Sequence, residues 1–199
     1  MNCSMVMYKI KNQRRKGLTW YIKTVICITV FISFGFVQPY QAATPEYQVK
    51  AVFLFNFSQF VEWPEQTFDN PKSPLIIGIL GKDPFGSFLE EAIQNEEING
   101  HPLSLKRFQK LDQVDTCHIL FINPDISSKM DLVTKSLKGK NILTVSDANN
   151  FIKNGGMVRF FTENNKIKLR INLETIKAEK FTVSSKLLRL AEIVDVDKK

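Results

Sequence analysis

Cysteine is scarce in this chain of 199 residues: Cys3, Cys27 and Cys117 are the whole supply. Once a leader of 43 residues is removed only Cys117 remains, and a lone thiol cannot close an internal disulfide. Cys117 opens the apolar run CHILFI and is expected to pack as a small buried residue. Histidine is equally rare, with His101 and His118 the only two. There is no HExxH and no CxxC, so neither a histidine nor a thiolate metal cage is expected, and no cofactor with it. Cys117 and His118 are neighbours, but adjacent side chains on a strand point to opposite faces, which excludes them as a nucleophile and base pair. No GxGxxG, no GxSxG and no P-loop is present, since GKDPFG (81–86) lacks the GK[ST] ending. The residues form no catalytic constellation.

Acidic residues are absent from positions 1–43, which carry Lys9, Lys11, Arg14, Arg15, Lys16 and Lys23. The formal net charge of +7 therefore belongs mostly to this segment. Residues 44–199 hold 21 Lys and Arg against 20 Asp and Glu, about +1. Such a balance gives no basis for binding a phosphate backbone, and no nucleic-acid partner is expected. The run VICITVFISFGFV (25–37) has thirteen residues, short of the roughly 20 that span a bilayer core. With its basic start and the small residues before Thr44, it predicts a secretory signal peptide over 1–43 and a periplasmic mature domain over 44–199. An uncleaved anchor is the alternative.

The remaining chain alternates strand and helix signals. LIIGIL (75–80) is a short, β-branched, wholly apolar run, as in a strand buried on both faces. GKDPFG comes next, with Asp83 as an expected N-cap and a helix from Pro84 to about Gln94. The same turn is where an anion or small ligand would sit in the second reading of the chain, a small-ligand binding or sensing module. LSLKRF (103–108), CHILFI (117–122) and NILTVS (141–146) are further strands, with helical segments near Lys129–Lys138 and Ala148–Lys153. MVRFFT and KIKLRI flank Glu163, Asn164 and Asn165 as a hairpin with one wet face. LETIKAEK and SSKLLRLAEIV read as closing helices, the latter with Leu187, Leu188, Ala191 and Val194 on one side. The expected class is α/β, a single domain with a mostly parallel sheet, helices on both faces and a C-terminal β-hairpin.

Large apolar residues are in surplus at two places. In EYQVKAVFLFNFSQFVEWP (46–64) a helical wheel groups Val49, Val52, Phe53, Asn56, Phe57, Phe60 and Trp63 as the core stripe and leaves Leu54 and Phe55 on the far side. Near the C-terminus Phe181, Val183, Leu187, Leu188 and Leu190 exceed what one helix face requires. These seven are the candidate partner-binding residues, because interface energy concentrates in a few large desolvated side chains.

EYQVKAVFLFNFSQFVEWP, LIIGILGKDPFG, CHILFI, ILTVSDANNFIKNGGMVRFF and INLETIKAEKFTVSSKLLRLAEIV, in this order, resemble the YfiR-like family of Gram-negative bacteria over Glu46–Val194. The resemblance implies a periplasmic, non-enzymatic α/β protein. Its partner would be the periplasmic domain of an inner-membrane diguanylate cyclase (YfiN-like), which it represses, lowering cyclic di-GMP signalling and biofilm formation. It also implies an OmpA-like outer-membrane lipoprotein (YfiB-like) that draws the repressor away. The family's namesake carries disulfides; Cys117 alone departs from that. A homodimer is compatible with all of these features.

Overall fold

The computed structural model describes residues 43–194; of the predicted leader only Ala43 falls among them. Thr44 starts the first helix, α1 (Pro45–Phe60): its side chain accepts the Tyr47 N–H, Pro45 occupies the first turn and Glu46 faces the positive end of the helix dipole. The helix stops at Val61, whose extended backbone begins the short strand β1 (Val61–Glu62) ahead of Pro64.

Strand β2 (Leu75–Leu80) is buried along its whole length. A turn and the helix α2 (Phe88–Ile93) lead to β3 (Glu97–Ile98) and β4 (His101–Phe108). Then come β5 (Ile119–Ile122), α3 (Met130–Leu137), β6 (Leu143–Ser146), β7 (Val158–Glu163) and β8 (Lys166–Asn172). The described chain closes with α4 (Leu173–Ala178), β9 (Thr182–Val183), the single turn α5 (Ser185–Leu188) and β10 (Ala191–Val194).

Eight strands form one sheet in the order β10-β8-β7-β6-β5-β2-β4-β3, and β1 pairs with β9 as a separate antiparallel ribbon. The run β7-β6-β5-β2-β4 is parallel throughout, β8 returns antiparallel to β7 as the expected hairpin, and β10 lies parallel to β8. All described residues belong to one compact unit.

Alternation along the strands splits the core. Ile77, Ile79, Ile119, Phe121, Val145, Phe160 and Leu169 point to the face covered by α1, α2, α4 and α5. Leu80, Leu120 and Ile122 point to the other, covered by α3 through Met130, Val133 and Leu137. At Gly78 the second layer comes so close that a Cβ would stand 2.7 Å from Cys117 Sγ and 2.8 Å from Phe108, which is why β2 carries a glycine in an otherwise branched run.

Four elements differ from the sequence expectation. Asp83 does not cap a helix at Pro84: its carboxylate accepts the Phe85 N–H in a local turn, and α2 begins only at Phe88. Residues 148–153 form successive turns rather than a helix. SSKLLRLAEIV makes one helical turn, capped by Ser184, and then becomes β10, because the open edge of β8 offers hydrogen bonds to a β-branched Ile193-Val194 segment. Finally, α1 is rotated from the expected stripe. Its buried residues are Lys50, Ala51, Leu54, Phe57 and Ser58, while Val49 and Val52 are exposed. Both sides of this helix are apolar, and the expected stripe leaves Lys50 outward; Lys50 instead points inward onto Asp147.

Candidate partner-binding site

Cys117 and His118, just before β5, are adjacent residues with nucleophile and base chemistry, and they pack in opposite layers as expected. Cys117 Sγ is buried 3.0 Å from the Ile119 carbonyl, and burial pushes the thiol up to about 12, so no thiolate forms near neutrality. His118 faces the other layer, with 2% of its surface exposed. Its Nδ1 accepts the Ile76 N–H at 3.0 Å, which places the ring proton on Nε2. Phe68 stacks on the ring at 4.6 Å between centroids and Trp63 meets it edge-on at 6.3 Å. Burial, and then the charge of His101, hold His118 down at about 4. A base so enclosed cannot exchange protons with a substrate. Among the described residues no three His, Cys, Asp or Glu side chains converge as a metal cage would require.

The turn at Gly81–Gly86 sits where an α/β sheet most often takes a ligand, outside the carboxyl end of β2 at the point where the strand order reverses between β2 and β5. Its polar groups are already engaged. Lys82 N–H donates to Asp125 Oδ2 at 3.1 Å, Asn123 Nδ2 donates to the Lys82 carbonyl at 2.6 Å, and Arg107 Nε donates to Asp83 Oδ2 at 2.7 Å. Gly81 adopts φ +92° with Asp125 Oδ1 only 2.6 Å from where a Cβ would be, and Phe85 fills the space beneath.

The seven candidate partner-binding residues fall into three groups. Leu54, Phe181 and Leu187 belong to the core, Leu54 with no exposed surface at all, and cannot anchor a partner without opening it. Phe55, Val183 and Leu188 are half-buried against that same core. Leu190 stands alone, 62% exposed. Reading the segment as a helix hides its neighbour in function: Ile193 on β10 is 48% exposed. The β-branched pair Ile193-Val194 is the available signal.

β10 therefore combines two features. It ends the eight-stranded sheet, with β8 on one side and no strand on the other among the described residues. It also carries Leu190 just before it and Ile193 within it, both facing solvent. An edge strand with exposed aliphatic side chains is a template for another chain unless it is covered. Only one ion pair among the described residues, Arg170 to Glu192 at 2.7 Å, ties its side chains to β8.

The chain belongs to the YfiR/HmsC-like family. The family's sequence model matches residues 47–192, from the first turn of α1 into β10. No curated protein matches the chain significantly. Membership agrees with the single α/β domain seen here and with a family whose members regulate rather than catalyse. Among the described residues of this family member no helix is long and apolar enough to cross a membrane.

Proposed function

We propose that this protein is a periplasmic negative regulator that binds the periplasmic domain of an inner-membrane diguanylate cyclase and lowers cyclic di-GMP signalling and biofilm formation. Family membership supports the class of function. The observation that carries the docking mode is the uncovered β10 edge with Leu190 and Ile193 exposed beside it. A segment of the cyclase adds to this edge through main-chain hydrogen bonds and covers the two aliphatic side chains, with Val183 and Leu188 at the margin. Leu54, Phe55, Phe181 and Leu187 support this surface from behind as part of the core on which β9 and α5 rest. An OmpA-like lipoprotein of the outer membrane competes for the repressor and relieves the cyclase.

The test is affinity purification of the tagged protein from detergent-solubilised membranes of its own host, paired with cyclic di-GMP measurement in cells with and without its gene. Recovery of a membrane diguanylate cyclase and a rise in cyclic di-GMP on deletion are expected. An unchanged cyclic di-GMP level together with no cyclase recovered contradicts the proposal.

A further inference from the structure

A cavity of about 670 Å³ opens beside the C-terminal end of α1, between β1, the loop after it and the β3–β4 hairpin. Its size is that of a small-ligand site. Val61, Trp63, Leu75 and Ile98 supply apolar wall, and Glu62, Glu65, Asp69 and His101 are the titratable groups around it. No Lys or Arg lines it, in contrast to the cavity between α3 and α4, which is rimmed by Lys135, Lys138 and Lys153. Among the described residues none of the three carboxylates forms an ion pair, whereas nine other carboxylates do.

His101 adds an independent pointer. Its Nδ1 lies 2.7 Å from the Ser73 carbonyl, a group that can only accept, so in the neutral ring Nδ1 carries the proton and Nε2 is left as an acceptor. Stacking on Phe68 at 3.8 Å fixes the ring plane. The ionisable groups around the cavity are thus acceptors without donors, set beside apolar wall.

We infer that this cavity binds an organic cation with an alkyl stem, a guanidinium or alkylammonium group. The stem lies along Trp63, Leu75 and Ile98, and the head donates to the carboxylates of Glu62, Glu65 and Asp69 and to His101 Nε2. A free diamine and the side chain of an arginine or lysine on another protein present the same chemistry. The site is distinct from the β10 edge, and its occupancy does not depend on the cyclase reading.

Isothermal titration of the purified protein with agmatine, and separately with a short peptide bearing one arginine among serines, tests the inference. Saturable binding of either probe is expected, with neutral pentanol giving no saturable heat. Binding of agmatine identifies a site open to free cations, whereas binding of the peptide alone identifies a site for a protein side chain. The triple variant Glu62→Gln, Glu65→Gln, Asp69→Asn should weaken that binding about tenfold or more. All three positions are exposed, and circular dichroism confirms the fold; if the triple variant does not fold, Glu65→Gln and Asp69→Asn singly should each weaken binding severalfold. A protein that binds neither probe, or folded variants that bind as tightly as the parent, overturns the inference.

Discussion

Lys50 Nζ lies 2.5 Å from Asp147 Oδ2, joining two residues 97 positions apart and pinning α1 to the carboxyl end of β6. Lys50 is 2% exposed, Glu46 completes its charge balance at 2.6 Å one turn earlier, and the Tyr47 hydroxyl donates to the same Asp147 oxygen at 2.9 Å. Burial, followed by the Asp147 charge, pushes the Tyr47 hydroxyl well above its ordinary range, so it stays protonated as the donor.

Removing Asp147 leaves the buried Lys50 with only the half-exposed Glu46 as a charge partner. Asp147→Ala should destabilise the fold by about 3–5 kcal/mol. The double variant Lys50→Met, Asp147→Leu should recover much of that loss, because no unpaired charge is left inside. Urea denaturation of the three proteins measures it. A single variant within about 1 kcal/mol of the parent would show that the ion pair does not hold α1 in place.

His118 predicts an acid-sensitive fold. Its folded value of about 4 lies below the ordinary 6.5, so the native state prefers the neutral ring. The stability this contributes is complete above pH 6.5 and is lost as pH falls towards 4, the range where the unfolded chain takes up the proton first. Between pH 7 and pH 5 the loss should be about 2 kcal/mol. The groups acting on the ring are His101, which opposes its protonation, and Asp69 and the Thr67 backbone, which favour it; Trp63 and Phe68 pack on it without charge. Chemical denaturation at the two pH values in the parent and in His118→Phe checks this. The variant should lose markedly less on acidification, and an equal loss in both assigns the effect to other groups.

Cys117 should behave as an apolar filler. Cys117→Ala is expected to cost about 1 kcal/mol and to leave regulation intact. The parent thiol should resist alkylation at pH 8 while the protein is native and react fully in denaturant, since burial holds it up at about 12. Fast native alkylation, or loss of repression in a folded, abundant Cys117→Ala protein, contradicts that role.

Most of the parallel sheet is legible in the residues, because a strand buried on both faces writes itself as a continuous apolar run, as in LIIGIL and CHILFI. The α1 helix is legible as a helix but not in its orientation: with Val49, Val52 and Phe53 on one side, Ala51 and Leu54 on another and Phe57 between them, only tertiary contacts choose the buried face. That choice turns on Asp147, which no local pattern reveals. The end of the chain misleads for a related reason. SSKLLRL carries a sound helical cap, and the strand after it exists only because the edge of β8 is open to pair with it, Ala191 against Leu169. Leu190 has the property sought, an aliphatic side chain the core does not use, while a helical reading hides Ile193. The acceptor-lined cavity has no signature at all, since its lining runs from Ser58 to His101 and converges only in the fold.

The central claim is that the β10 edge is the docking surface. Isothermal titration of the cyclase's periplasmic domain into the parent protein and into folded Leu190→Asp and Ile193→Asp variants addresses it most directly. Each substitution should weaken binding by about 2 kcal/mol or more, roughly thirtyfold, while Val52→Asp on the exposed side of α1 leaves it unchanged. Parent-like affinity in both β10 variants, with their thermal melts intact, would contradict the claim.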